Sequence, residues 1–286
     1  MPARRPARTR VAHRVRPSAG ARVAGRRTRW TRTALTSEAV NEPAIVYPSL
    51  ALAGFVAGAL NVVAGGGSFL TLPILIFFGL PPGVANGTNR VAILLQNLVA
   101  SWGFHRHGVL DPRAVVWAAL PATAGAGLGA WAALSISDDA FRRALAALMV
   151  VVTLWTLVSR RSEPKEQPTA LRVGMLAVGF FGVGMYGGFV QAGVGFFILA
   201  ATSLAGLDLV RGNAVKVLSI LCFSTLSLAL FALSGKVDWT LGLVLAVGNM
   251  AGGWLGVRLT VLKGHVWIGR VVTVTVIVFA IRLWFG

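Results

Sequence analysis

The chain alternates between long apolar stretches and short polar or glycine-rich breaks, and that pattern predicts its elements before any other property does. A first apolar segment runs from about Ala44 to Ala64 and stops at Gly65-Gly66-Gly67. A short run, Ser68 to Leu80, follows; with about 13 residues it is too brief to cross a bilayer straight, which takes about 20. Longer segments lie near 89–105, 113–134 and 140–158, and then a polar stretch, 159–170, holds Arg160, Arg161, Glu163 and Lys165. The order then restarts: a segment over 171–190, a break at Gln191-Ala192-Gly193-Val194-Gly195, a short run from Phe196 to Leu207, and longer segments near 213–234, 239–260 and 266–285.

The two halves superpose without a gap at an offset of 127 residues. Gly66 falls on Gly193, Gly79-Leu80 on Gly206-Leu207, Asn86 on Asn213, Gly108 on Gly235, Asp111 on Asp238 and Gly125 on Gly252. Matching apolar residues are cheap in such a sequence, whereas matching Gly, Asn and Asp mark the same turns and breaks. The pattern therefore predicts an all-α polytopic membrane protein of two homologous halves, 43–158 and 171–286, joined by the 159–170 loop. Each half is expected to hold a Gly-broken short helix pair and three longer transmembrane helices.

Composition supports a bilayer as the solvent. Hydrophobic residues make up 56% of the 286 and charged residues 13%, and the mean hydropathy is +0.73; about 25% charge is usual for a soluble domain. The formal net charge is +18, and eleven of the 27 Lys and Arg residues crowd into residues 1–42. That tail reads as disordered. Its arginines suit attraction to anionic lipid; a start codon assigned too early is the competing reading. No folded module accompanies the charge, so no nucleic-acid partner is expected. Neither twin-arginine pair, Arg4-Arg5 or Arg26-Arg27, is followed promptly by an apolar run, which argues against a Tat signal. Loop charges leave eight or ten crossings, and the orientation, open. Association with further copies is equally open.

Inside the apolar segments carboxylates are almost absent. Asp111, Asp138, Asp139, Asp208 and Asp238 sit at expected loops or segment ends, so no mid-membrane proton relay is expected. The lone Cys222 excludes an intrachain disulfide and reads as a small core residue. His105 and His107 lack a third metal ligand, and no cofactor motif is present. Gly66-Gly67-Ser68-Phe69 lacks the trailing glycine of an intramembrane serine protease, and Asp138-Asp139 stands alone, so an enzyme is not expected. Trp102, Trp239, Trp267 and Trp284 read as interface anchors. Gly125, Gly127, Gly129, Gly248, Gly252, Gly253 and Gly256 read as close helix-packing faces.

Duplicated halves with glycine-broken apolar segments at equivalent places point to a transporter's binding site. Free backbone groups are tolerated at membrane depth only where protein or water meets them, and half-helix N-termini favour an anion. The candidate substrate-binding residues are Gly66, Gly67, Ser68, Asn86, Thr88, Asn89 and Arg90 in the first half, and Gln191, Gly193, Gly195, Asn213 and Lys216 in the second. Asn61, Gln96, Asn97 and Ser219 lie nearby. Two cations and several amides beside broken helices suit a small oxyanion. The competing reading makes the asparagines helix caps and lets the cations snorkel to the interface.

Several of these segments are similar to those of a known family. Gly54-Phe55-Val56-Ala57-Gly58 leading into Ala64-Gly65-Gly66-Gly67-Ser68 resembles the opening motif of the TauE/SafE membrane anion permeases. Gly79-Leu80-Pro81-Pro82, Gly87-Thr88-Asn89-Arg90, Gly187-Gly188-Phe189, Gly193-Val194-Gly195-Phe196, Lys216 and Gly235-Lys236-Val237 extend the resemblance over about residues 50–285. It implies transport of sulfite, sulfonates or related organosulfur anions across the inner membrane, usually outward; a transporter or channel for another small anion is the competing reading. Gln191 departs from the small or apolar residue that the second break would ordinarily carry, and is expected to tune the substrate.

Overall fold

The computed structural model describes residues 42–110, 112–158 and 170–285, with side-chain surroundings at 42–110, 116–152, 154 and 176–263. Residues 1–41 of the Arg-rich tail and the 159–169 stretch of the polar loop lie outside the described residues. Within them the regular structure is entirely helical: α1 Pro43–Val63, α2 Ser68–Phe77, α3 Pro82–Arg106, α4 Pro112–Ser135, α5 Asp138–Val158, α6 Ala170–Phe189, α7 Val194–Leu204, α8 Leu209–Leu233 and α9 Trp239–Phe285.

Local chemistry sets most of these ends. Prolines open α1 and α3, where the missing N–H costs nothing. Asp208 caps α8, accepting from the Val210 and Arg211 amides at 2.8 and 3.0 Å. Helices α2, α3, α7 and α8 all stop at a left-handed glycine, Gly79, Gly108, Gly206 and Gly235. In each case the next residue's N–H returns to a carbonyl five residues back, as in Leu80 to Leu75 and Lys236 to Phe231.

Two expectations change here. Helix α3 begins at Pro82, seven residues before the expected segment at 89, so Asn86, Thr88 and Asn89 lie inside it and do not cap its start. The segments expected at 239–260 and 266–285 form one continuous 47-residue helix. At 1.5 Å per residue that is roughly 70 Å, about twice a bilayer's hydrocarbon core. Gly264 is the one breaker between the two runs, and a glycine costs about 1 kcal/mol in a helix without ending it.

Helices α1, α8 and the first 25 residues of α9 are each long and apolar enough to cross a membrane. The surface is correspondingly apolar, with Leu52, Trp131, Val178 and Leu233 all largely exposed, while Asn86, Asn89, Arg90, Gln96, Gln191, Asn213 and Lys216 are buried. This inside-out distribution fits lipid as the outer solvent. It also corrects the reading of Cys222 as a core residue: Cys222 is exposed on α8, because apolar side chains need no protein cover where the outer solvent is lipid.

Helix α1 packs chiefly on α9, and α4 on α6. Both crossings are closed by glycine. A Cβ on Gly248 would lie 1.9 Å from the Ala51 carbonyl oxygen, and one on Gly129 1.9 Å from that of Met185, so backbones touch where side chains would hold them apart. Gly125 and Gly252 are about as tight, Gly253 and Gly256 meet side-chain carbons at 2.8 and 2.9 Å, and Gly127 is open: its Cβ would meet only a Leu226 methyl at 3.4 Å. Gly127 lies between the two contact positions, off the packing face.

Helices α3 and α8 run antiparallel through the middle. Gly87, early in α3, abuts the Lys236 carbonyl beyond the end of α8; Ala100 and Phe104, late in α3, cluster with Ala214 and Val217, early in α8. Val46 and Leu50 of α1 share a cluster with Leu75 of α2 and Ala85 of α3. The chain therefore turns back at the first glycine break, and α2 returns toward the end of the molecule where α1 began.

Candidate functional site

The turn after α1 and the turn after α6 meet. A Cβ on Gly65 would fall 2.5 Å from the Gly195 carbonyl carbon, and one on Gly195 2.4 Å from the Gly65 Cα. The rings of Phe69 and Phe196, in the first turns of α2 and α7, stack with centroids 6.3 Å apart. Gly193 has φ +72°, and its Cβ would strike the Phe69 ring at 2.4 Å, so both backbone conformation and space require glycine there. Tyr186 in α6 holds the second turn by donating its hydroxyl to the Ala192 carbonyl.

Two kinds of helix end converge at this junction. Helices α1 and α6 present C-termini, the negative ends of their dipoles; α2 and α7 present N-termini, the positive ends, where the Phe69, Leu70 and Phe196 amides already donate to the Gly66, Gly67 and Gly193 carbonyls. Gly66, Gly67 and Ser68 form the entry to α2, and Gly193 and Gly195 the entry to α7. Ser68 is buried.

The buried cations serve the carbonyl ends. Lys216 of α8 donates from Nζ to the Asn61 and Val62 carbonyls at the end of α1, at 2.9 and 2.7 Å, and to Asn213 Oδ1. Arg90 of α3 donates to the Gly187 carbonyl at 3.2 Å and to that of Gly188, at the end of α6, and its guanidinium lies 4.5 Å from the Phe231 ring centroid. The amides do the same work: Asn86 Nδ2 donates to the Phe189 carbonyl at 2.9 Å, and Asn213 Nδ2 to that of Val63 at 3.4 Å. Arg90 and Lys216 are 0% and 1% exposed, so neither snorkels. Asn86 and Asn213 do cap helices, though at the C-termini of α6 and α1 and not at the starts of their own helices.

Asn89 accepts from Thr71 Oγ1 at 2.7 Å. Gln191 donates from Nε2 to Ser224 Oγ. Thr88 is not brought to the junction: its Oγ1 accepts the Asp238 amide at the entry to α9, at 2.9 Å. Several buried polar atoms are left without a partner, among them Asn86 Oδ1, Asn89 Nδ2, Arg90 Nε, Gln191 Oε1, Ser219 Oγ and Ser227 Oγ. Buried groups of this kind are normally satisfied by protein, water or ligand.

Thr71, Ser224 and Ser227 were not among the candidates. A signal for the serines was present: Lys216, Ser219, Phe223, Ser224 and Ser227 recur at i, i+3, i+7, i+8 and i+11 on α8, one stripe of a 3.6-residue helix. Thr71 carried none, since a threonine in an apolar run ordinarily bonds its own helix.

An apolar exterior, three helices among the described residues fit to cross a bilayer, and a buried polar centre where helices end are the make-up of a helical membrane transporter. The model of the sulfite exporter TauE/SafE family matches residues 50–283, and the chain belongs to that family. A probable membrane transporter protein of Haemophilus influenzae is 30% identical over 225 residues, covering 77% of this chain and 88% of its own. One from Xylella fastidiosa is 32% identical over 224 residues, with 72% and 81% covered. The probable membrane transporter protein YfcA of Escherichia coli K12 is 29% identical over 231 residues, with 79% and 85% covered. No solved structure matches the chain.

Proposed function

We propose that the protein is a multi-pass inner-membrane carrier, not an enzyme, that moves a small sulfur oxyanion such as sulfite or a sulfonate outward. The anion rests at the junction of α2 and α7, between two inverted halves. The observation that carries this reading is the unequal treatment of the helix ends. Arg90 and Lys216 are committed to the negative ends of α6 and α1. The positive ends of α2 and α7, about half an elementary charge each, face the same centre with no buried carboxylate among the described residues to offset them. The junction is therefore electropositive. It offers Asn89 Nδ2 as an unpartnered buried amide donor beside α2.

The halves themselves support the inverted-repeat reading. Helices α3 and α8 both have 25 residues, and their starts, Pro82 and Leu209, lie 127 apart. The same offset separates the starts of α1 and α6 and those of α4 and α9, and it relates Gly79 to Gly206 and Gly108 to Gly235, with φ matching within 3°. Each half caps the broken helix of the other, so the site lies between the halves, where repeats rock against each other in alternating access. A membrane potential of about 100 mV, negative inside, adds roughly 2.3 kcal/mol per exported negative charge. Outward flow of an anion thus needs no proton relay.

Ligand-induced stabilisation tests the reading. A bound anion at a hundred times its Kd raises stability by about 2.7 kcal/mol. Sulfite or a sulfonate, added to purified protein at fixed ionic strength, is expected to raise the unfolding temperature beyond chloride and phosphate. Equal shifts for all four anions would remove sulfur-anion selectivity from the proposal.

A further inference from the structure

Away from the junction, a cavity of about 370 Å³ opens between the end of α3 and the middle of α9, lined by Trp102, Gly103, Arg106 and His107 on one side and Trp254, Val257 and Arg258 on the other. We propose that this groove is a binding site for the phosphate headgroup of an anionic phospholipid.

Its construction argues for a ligand. Arg106 lies over Trp102, its guanidinium carbon 4.8 Å from the ring centroid, and Arg258 over Trp254 at 3.7 Å. Cation–π attraction favours both placements. Among the described residues, neither has a carboxylate within 4.0 Å, so two cations face the groove from its two sides without a counter-charge. The His107 ring is oriented by a 2.7 Å hydrogen bond from Nδ1 to the Gly103 carbonyl; Nε2 of the neutral ring is then an acceptor, so the two arginines carry the contact to an anion. The floor is closed because Gly103 has no side chain: a Cβ there would lie 3.0 Å from Val257 Cγ1.

Position selects the source of the phosphate. Arg106 is the last residue of α3, and Trp102 and Trp254 are 55% and 43% exposed, the placement of tryptophans at a membrane–water boundary. One turn toward the membrane centre from Trp102, Leu98 is likewise exposed and offers an apolar wall to an acyl chain. A free inorganic anion would use the cations and leave that wall bare. Two arginines match a phosphodiester through bidentate bonds, and basic pockets between membrane helices are suited to acidic headgroups.

The fold does not demand the groove. At positions 127 residues away, Arg106 is matched by Leu233, Trp102 by Ala229, His107 by Ser234, Arg258 by Trp131 and Trp254 by Gly127. The half-for-half equivalent has no cation, so the basic groove belongs to one end of the molecule alone.

The test uses the full-length protein in detergent, with native mass spectrometry and thermal unfolding in the presence of phosphatidylglycerol, phosphatidylcholine or inorganic phosphate. Phosphatidylglycerol is expected to be retained at least tenfold better than phosphatidylcholine and to raise the unfolding temperature, with inorganic phosphate failing to displace it. Arg106→Gln with Arg258→Gln should abolish that preference, while Arg142→Gln with Arg143→Gln, on α5, should keep it. Equal retention of the two lipids, displacement by inorganic phosphate, or a preference that survives in the Arg106/Arg258 variant would each overturn the assignment. The wild-type lipid comparison stands even if the double variant fails to fold, and none of the readouts depends on transport.

Discussion

Replacing Lys216 with methionine separates a cation that caps a helix from one that grips substrate. Methionine fills a similar volume and ends the three hydrogen bonds that Nζ makes. Two main-chain carbonyls at the end of α1, Asn61 and Val62, then lose their Lys216 donor in a region closed to water. A buried acceptor left unpaired costs about 1–3 kcal/mol, so the pair costs about 4 kcal/mol. Relief from burying the ammonium offsets part of this, since a buried charge carries its own desolvation penalty; about 3 kcal/mol remains. For a chain of this size, near 2 °C per kcal/mol, the unfolding temperature falls by about 6 °C. Lys216→Arg keeps the charge and recovers much of the loss. Asn213→Ala removes the amide that both accepts from Lys216 and donates to Val63; combined with Lys216→Met it should fall short of additivity, because both act on the same helix end. The assay is thermal unfolding of detergent-purified protein beside sulfite flux in proteoliposomes. An unchanged unfolding temperature with a raised KM for sulfite would refute the capping argument and make Lys216 a free ligand cation.

Three further outcomes follow from the same geometry. Gly193→Ala should abolish transport and lower folded yield, since its Cβ meets the Phe69 ring at 2.4 Å, whereas Gly79→Ala, at φ +87° in open space, should cost only about 1–2 kcal/mol of left-handed strain and keep activity; equal behaviour of the two would contradict the packing of the junction. Gly125→Ala should cut folded yield severely, because its Cβ falls 2.1 Å from the Phe181 carbonyl oxygen, while Gly127→Ala should be tolerated; fluorescence-detected size exclusion reads both. Gln191→Ala should change the ratio of sulfite to sulfonate flux, because Oε1 is a buried acceptor at the break without a partner, and an unchanged ratio would remove Gln191 from the selectivity determinants.

Much of the architecture was legible because it is written in interruptions. Apolar runs that stop at Gly65-Gly66-Gly67 and at Gly193 gave the two turns, and those turns are where the helices end. The 25-residue helices α3 and α8 were less legible at their starts, since the polar residues 86–90 look like a loop until one sees that they face a protein interior. The continuity of α9 was hidden by Lys263, Gly264 and His265, which mimic a boundary by polarity without supplying a turn. Thr88 fitted the polar cluster by position, but helical phase turns it to the Asp238 amide.

The partners of the cations were the least legible part. Lys216 and Arg90 bond main-chain carbonyls, and a carbonyl leaves no trace in the residue type that bears it. The residues concerned are Asn61, Val62, Gly187 and Gly188, 97 to 155 positions away along the chain. A sequence can mark a buried cation as unusual; only the fold shows that its counter-charge is a helix end. Cys222 illustrates the converse, since its apolar surroundings in sequence do not distinguish a protein core from a lipid-facing surface.

The measurement that bears most directly on the central claim is sulfite efflux from proteoliposomes holding the full-length protein, with the interior potential set negative, zero or positive, and with sulfoacetate, taurine and sulfate run alongside. Sulfite efflux that rises as the interior becomes more negative, and that a sulfonate inhibits competitively, is the predicted result. Absence of flux for every sulfur anion at every potential would leave a membrane protein of this family standing and contradict the sulfur-oxyanion site at the meeting of α2 and α7.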